Sequence, residues 1–401
     1  MISISKALKI VEKRIGKLSS EQTGLTEAVG RVLAENVYAD MDLPPFDRSQ
    51  MDGFAVRAKD VKDAPVSLKI IGESVAGKGS DEKLKRGETV RIMTGARVPK
   101  GADSVQKKEL VNQPEDGQFA EITEATKAAQ HIVFKAAEIE KGAKVFSKGE
   151  IINAQMIAVL ASFGYARAEV YRKPRVSILA TGSEIVPYSQ VPQRDQIRDS
   201  NSISLKTFAE NCGSATGVLP MVNDDLENLK QTIEKVANRS DILILSGGVS
   251  VGDYDFTKPA LRELGAEIYF EKVALRPGKP TVFAKLNDCF IFGLPGNPVS
   301  VAVTFFLFAR KAILQMQGAD DCGLREGFAV LTKNMKGAKE RDSYIPGKID
   351  LKKSAQVSVE PVKWGGSSDF VSFSKADCLI FLPGDETIEA DSVVKILYLP
   401  C

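Results

Sequence analysis

Apolar residues recur at two periods along the chain, and the period changes with position. Near the N-terminus Ile4, Ala7, Leu8, Val11 and Ile15 follow an i, i+3, i+4, i+7 spacing behind Ser3, which predicts a capped helix. Ala28, Val29, Val32 and Leu33 predict a second short helix over 26–35. Both are amphipathic and too short to stand alone, so each needs a partner surface, either another domain or a second subunit. From residue 45 to Gly142 the apolar runs shorten to 67–71, 89–93 and 119–122 between turn residues, which predicts a small β domain. Met156, Ile157, Val159 and Leu160, behind Asn153 and before Gly164, restore the helical period. The β segment therefore reads as an insertion within a helical stalk.

From Arg175 onward strands and helices alternate. Strands are predicted over 176–180, 216–222, 242–245, 281–286 and 289–292. Between them, Ile203, Leu205, Phe208 and Ala209 mark one helix, and Leu226, Leu229, Ile233, Val236 and Ala237 a second. Leu261 and Leu264 mark a third. Asn297 as N-cap and Pro298 at N1 open a long helix through Phe305, Phe306 and Ile313. This pattern predicts a doubly wound α/β domain. Later runs at 328–331, 348–351, 357–362, 378–382 and 393–399 are spaced like the strands of a small β-barrel. The fold class is thus multidomain α/β: a helical stalk (1–44 and 143–174), an inserted β domain (45–142), a central doubly wound α/β domain (175–325) and a C-terminal β-barrel (326–401).

Composition narrows the function classes. A chain of 401 residues exceeds what one core usually serves. Hydrophobic content of 43% and charged content of 26% are those of a globular protein. A net charge of +2 supplies no global field for nucleic acid or an anionic membrane. No apolar run reaches the ~18 residues of a spanning helix, and no apolar signal core is seen, so a cytoplasmic location is expected. Five scattered cysteines without a CxxC pair are expected to stay as thiols. His131 is the sole histidine, which argues against a histidine-rich zinc site and a Ser–His–Asp mechanism.

The candidate chemistry centres on residues 241–256. The apolar run Ile242-Leu243-Ile244-Leu245 breaks into Ser246-Gly247-Gly248-Val249-Ser250-Val251-Gly252, followed by Asp253 and Asp255. A glycine turn between a strand and a helix lets backbone N–H groups approach a phosphate, and carboxylates beside it suit a divalent cation. A tight βα turn with aspartate caps accounts for the same residues. Glu184, Asp224, Asp255 and the segment from Pro295 to Pro298 all fall at predicted carboxyl ends of strands, where doubly wound folds bind ligands. Their convergence favours a nucleotide or phosphate ligand with Mg²⁺. Arg276 and Lys279, in an Arg-Pro-Gly-Lys-Pro frame, add two cations suited to an oxyanion. Elsewhere Asp52-Gly53 follows a two-proline entry and reads locally as a linker ending in a hairpin, and Thr94 sets a hydroxyl at a strand end.

Seven stretches carry a family resemblance: SGGVSVGDYDF, LRPGKP, FGLPGNPVS, TGSEIV, DSNS, PPFDRSQMDGFAV and RIMTGARVPKGAD. Together, and in family order when taken along essentially the whole chain, they resemble the MoeA-type molybdopterin molybdenumtransferases, and the gephyrin E domain is similar. The resemblance implies a MogA-like central domain and a homodimer. It places the active cleft between the α/β domain of one subunit and the inserted β domain of the other. It implies conversion of adenylyl-molybdopterin and molybdate to molybdenum cofactor and AMP with Mg²⁺, and molybdopterin adenylyltransferase and molybdoenzyme chaperones as further partners. By motif, Asp52 and Thr94 would line the cleft, and Glu184, Asp224 and Asp255 would serve Mg²⁺ and the nucleotide phosphate. Gly247, Gly248 and Ser250 would hold a phosphate, Pro295 and Pro298 would shape the pocket, and Arg276, Lys279, Arg341 and Ser367 would receive molybdate.

One stretch departs from the family. An Arg followed by a Gly-Glu-Asp run is expected before the returning helix; here Val133 stands at the Arg and Glu138 at the Asp. Lys135, two residues on, would share a face with position 133 in an extended segment and could substitute for the missing cation. Two function classes follow: an enzyme that inserts molybdenum, or a paralogue that binds the pterin nucleotide or scaffolds a partner without turnover.

Overall fold

The computed structural model describes residues 1–113, 117–222, 225–249, 255–351, 356–363 and 365–400. The chain divides into two compact units, one of residues 1–35, 148–157 and 167–401 and the other of residues 36–147 and 158–166.

The larger unit is built on a six-stranded sheet. Its spatial order is Ala215–Val218, Arg175–Ala180, Ile242–Ser246, Cys289–Leu294, Val282–Leu286, Glu267–Phe270. The first four run parallel, Val282–Leu286 runs antiparallel to them, and Glu267–Phe270 pairs antiparallel with Val282–Leu286. The central strand is buried at every position and apolar from Ile242 to Leu245, because both its faces are covered. Ile242 and Ile244 join one core with Leu205, Val299 and Phe305, whereas Leu243 and Leu245 join the other with Leu229, Ile233 and Leu261. The alternation of side chains along each strand sends successive residues into the two helix layers. The strand Glu267–Phe270 is an addition to the expected set. Its partly polar sequence fits an edge position.

The first helix, Ile4–Arg14, is capped by Ser3, whose Oγ accepts from Lys6 N–H. Its apolar face, Ile4, Ala7 and Val11, enters the first of those cores, beside the long helix Pro298–Met316. Gln315 Nε2 donates to the carbonyls of Glu12 and Ile15 at 2.6 and 2.9 Å. That face is therefore covered by its own chain and gives no support to a second subunit. The expected second helix over 26–35 is absent: Val32 and Leu33 instead bridge to Ile151 and Val170. Gly30, in the left-handed region at φ 79°, breaks the helical period there. Pro298–Met316 is long and apolar enough to cross a membrane by length and composition alone, but Arg310 and Lys311 interrupt its apolar run and 83% of its window is buried inside the fold. Its apolarity serves the core.

The C-terminal strands close on themselves. Asp342–Asp350 pairs with Ser358–Pro361, then come Glu326–Leu331, Val393–Tyr398 and Cys378–Leu382, and the last pairs back to Asp342–Asp350. Closure removes the free edges of a small sheet, and Leu331, Val359, Ile380 and Ile396 fill the interior. The short strand Leu275–Arg276 adds to this barrel beside Asp342 and Ser343.

The smaller unit holds a second six-stranded sheet, ordered Ser104–Lys107, Gly53–Val56, Glu88–Ile92, Val66–Ser74, Phe119–Ile122, Val111–Asn112. Gly53 is required by close approach, since a side chain there would meet the Gln106 carbonyl at 1.9 Å. The helix Ala154–Ser162, capped by Asn153 through Met156 N–H and stopped by Gly164 at φ 75°, runs across the division between the two units.

Candidate functional site

The sheet reverses its winding between Arg175–Ala180 and Ile242–Ser246, and the loops at their carboxyl ends meet there. Thr181 N–H donates to the Ser246 carbonyl at 3.0 Å. A side chain on Gly247 (φ 95°) would meet the Thr181 carbonyl at 2.6 Å, so only glycine allows the two loops to close. A cleft of about 1040 Å³ opens over this point. Glu184, Asp255, Gly247, Gly248, Pro295 and Pro298 all line it. Asp224 and Ser250, and with them Asp253, lie outside the described residues.

Two details differ from the sequence-based expectation. Gly247 N–H already donates to the Leu294 carbonyl at 3.1 Å, so Gly247 contributes space to the cleft and offers no backbone donor. The following helix, Thr257–Glu263, has no side-chain cap; Thr257 N–H instead donates to the Gly248 carbonyl at 3.1 Å. The glycine turn is thereby tied to both the next helix and the neighbouring strand.

A second cleft of about 580 Å³ adjoins the first, and both are lined by Pro280, Pro295 and Asn297. Arg276, Lys279, Arg341 and Ser367 line this second cleft. The barrel explains how distant residues reach one place. Leu275 pairs with Asp342 and Arg276 with Ser343, which sets Arg276 beside the segment carrying Arg341. Gly278, at φ 119°, presses against Thr304, where a side chain would stand 2.4 Å from its methyl group. Among the described residues no carboxylate forms an ion pair with Arg276, Lys279 or Arg341. Three cations without a carboxylate partner favour an anionic ligand.

Two asparagines hold these clefts, and sequence reasoning gave neither a binding role. Asn201 Nδ2 donates to Ser246 Oγ at 3.1 Å and to the Gly296 carbonyl at 2.6 Å, joining three loops. Asn297 was expected as a helix cap. Its side chain makes no capping bond, and its Nδ2 donates to Ser367 Oγ at 2.8 Å. The DSNS and GLPGNP motifs carried the only signal, because neither bond follows from local spacing.

The donor set suits a hard cation. Glu184 and Asp255 line the cleft, and Thr181, another lining residue, has a buried Oγ1 without a hydrogen-bond partner. Gly182 (φ 148°) admits the Glu184 carboxylate, which a side chain at 182 would meet at 2.8 Å. Among the described residues no group of three or more His, Cys, Asp or Glu could hold a metal ion, and the third expected ligand, Asp224, is not among them. Thiol chemistry has no place here. Burial pushes Cys212 up to about 11 and Cys289 and Cys378 up to about 12.

In the smaller unit, Asp52 and Thr94 are in direct contact. Asp52 Oδ1 accepts from Thr94 N–H and from its hydroxyl, both at 2.7 Å, and these bonds hold the carboxyl below its ordinary value. At the family departure, Val133 pairs with Arg48 across two short antiparallel strands, and Arg48 reaches Glu138 at 3.5 Å. Lys135 does not continue that strand. It lies in a turn, with its Nζ 3.0 Å from Asp42 Oδ2 and its N–H donating to Asp47. The expectation that Lys135 shares a face with position 133 is overturned, because the extended segment ends at Val133.

Comparison with known proteins covers the chain almost end to end. Residues 2–164 match the MoeA N-terminal region (domain I and II), 177–315 the "Probable molybdopterin binding domain", and 329–399 the MoeA C-terminal region (domain IV). A molybdopterin molybdenumtransferase of Staphylococcus aureus is 34% identical over 96% of this chain and 92% of its own. The Staphylococcus epidermidis protein of the same description is 33% identical over 99% and 95%. The crystal structure of a molybdopterin biosynthesis moeA protein from Pyrococcus horikoshii superposes with a TM-score of 0.83 at 31% identity, covering 99% of both chains.

Proposed function

The chain belongs to the MoeA family of molybdopterin molybdenumtransferases, and from that premise we propose that it inserts molybdate into adenylyl-molybdopterin with release of AMP in a Mg²⁺-dependent reaction. The observation that carries this reading is the adjoining pair of clefts. One offers carboxylates and a glycine turn; the other offers cations without carboxylate partners among the described residues; Pro280, Pro295 and Asn297 line both. A phosphoanhydride in the first and a dianion in the second would lie side by side, which is the arrangement the reaction needs.

Glu184 and Asp255, with Asp224 as the third expected ligand, would hold Mg²⁺, which supplies charge neutralisation at the phosphoanhydride. Arg276, Lys279 and Arg341 bind and orient molybdate, and Ser367 adds a hydroxyl fixed by Asn297. Gly247 and Gly248 make room for the phosphate, with Ser250 beside them in sequence. Asp52 and Thr94 serve the same reaction in a homodimer, where the smaller unit of one subunit completes the cleft of the other. The enzyme acts in the cytoplasm, and the molybdopterin adenylyltransferase and molybdoenzyme chaperones are its proposed partners.

The test is AMP release from adenylyl-molybdopterin, followed with and without molybdate and with and without Mg²⁺. Release that needs both is the expected result. No release where a homologue with the family arginine turns over would replace this reading with that of a binding paralogue.

A further inference from the structure

Single exposed apolar side chains are ordinary, but several gathered on the wall of one cleft mark a binding surface. Tyr188 (62% exposed), Ile197 (59%) and Phe370 (50%) all line the larger cleft. They come from separate elements. Tyr188 lies in the loop joining the paired strands Ile185–Val186 and Ile197–Arg198, and Phe370 opens the short helix Phe370–Phe373 of the C-terminal domain. The loop is held by its own bonds: Ile197 N–H donates to the Glu184 carbonyl, Asp199 N–H to the Val186 carbonyl, and Arg198 Nε to the Gln190 carbonyl, all at 2.8–2.9 Å. Phe370 is held in turn by Asp369, whose carboxylate accepts from Gly365 and Ser372 N–H. Both rings are thus presented by fixed backbone, which lowers the ordering cost of binding.

The lining also carries polar groups, Glu184, Asp199, Asn201 and Asp255, beside the glycine turn. A cleft with phosphate-compatible groups and exposed aromatic rings matches a ligand with one charged end and one planar apolar end. We propose that Tyr188 and Phe370 are the residues on which a planar nitrogen heterocycle of the substrate stacks, with Ile197 extending the apolar surface. This rests on the proposed function and adds its specificity determinant. Stacking on an aromatic face tolerates any flat ring, so adenine and pterin share the required chemistry.

The experiment measures Kd for AMP and for molybdopterin by calorimetry on wild type, Tyr188→Ala, Tyr188→Phe and Phe370→Ala. Both positions are exposed, so thermal midpoints should match the wild type. Each alanine variant should weaken one ligand about tenfold. Loss confined to AMP assigns adenine to the rings, and loss confined to molybdopterin assigns the pterin. Tyr188→Phe should bind like the wild type, and in turnover the alanine variants should raise KM with kcat unchanged, because the ring is held equally in ground and transition states. Alanine variants that bind both ligands as tightly as the wild type overturn the proposal. So does a Tyr188→Phe variant as weak as Tyr188→Ala, which would make the hydroxyl the binding group. A wild type that binds neither ligand removes the proposed function itself.

Discussion

At the amino edge of the central sheet, Asp241 is surrounded by its partners. Arg172 donates to both carboxylate oxygens at 2.7 and 2.8 Å, and Arg175 donates through its backbone N–H at 2.7 Å and its guanidinium at 3.3–3.4 Å. Around the clefts at the carboxyl edge, Arg276, Lys279 and Arg341 form no ion pair among the described residues, and Glu184 and Asp255 line the larger cleft. The residue types are the same. What separates a structural ion cluster from a binding site is whether the fold supplies the counter-charge or leaves that to a ligand. Substitutions should therefore uncouple stability from activity in opposite senses at the two edges.

The largest effect on activity should come from Asp255→Asn. Removing one carboxylate charge from the cation-binding cleft should lower turnover by about a hundredfold or more. The fold should be unaffected, within about 0.5 kcal/mol of wild type by urea unfolding. Unchanged AMP release would take Asp255 out of the mechanism.

Asp241→Asn should do the reverse. It leaves two arginines without their shared carboxylate and should cost about 3 kcal/mol of stability, while activity per folded molecule stays at the wild-type level. Burial pushes the Asp241 carboxyl up, but the bonds from Arg172 and Arg175 outweigh burial and hold it well below the usual carboxylate range. A depressed folded-state value means that this stability is fully present above the unfolded carboxylate pKa of about 3.9. It is lost as pH falls below that value toward the folded one. The difference in melting temperature between wild type and Asp241→Asn should therefore be constant from pH 7 to 5 and shrink below pH 4. A gap that widens in acid would contradict this account.

Arg341→Ala sharpens the comparison at the other edge. A charge-assisted hydrogen bond to an anion is worth about 1.5–3 kcal/mol, so KM for molybdate should rise about tenfold to a hundredfold. Because Arg341 has no carboxylate partner among the described residues, the same substitution should not destabilise the protein. A fall in melting temperature without a change in KM would make Arg341 structural.

How much of this was legible in sequence depends on how local the determining physics is. The branched run Ile242-Leu243-Ile244-Leu245, ended by its glycines, and the proline after Asn297 specify a strand and a helix start through local sterics, and both are found. The helix expected from Val32 and Leu33 fails because two bridges to distant residues satisfy the same apolar positions. The grouping of Arg276 with Arg341 was suggested by family resemblance alone. The spatial reason is a strand pairing across sixty-odd residues, which no spacing reveals. Asn201 and Asn297 were missed as loop-tying groups for the same cause: their acceptors lie 45, 95 and 70 residues away.

The smallest effect concerns Val133, where the smaller unit departs from its family. Replacing a missing arginine looks like a repair, but the register argues otherwise. Val133 lies directly opposite Arg48, and Arg48 is already within 3.5 Å of Glu138. A second guanidinium across the strand pair would place like charges face to face, which costs roughly 0.2–1 kcal/mol. Lys135 offers no relief, since its ammonium is held by Asp42 at 3.0 Å in a turn beyond the strand. Val133→Arg should therefore lower stability by less than about 1 kcal/mol in urea unfolding. The loss should fade at 0.5 M salt, because exposed charges are screened over a few ångströms there. Adding Glu138→Gln to the variant should deepen the loss by removing the carboxylate that both arginines would share. If Val133→Arg instead stabilises the protein at low salt, the new guanidinium has displaced Arg48 from Glu138, and the like-charge account of this strand pair is wrong.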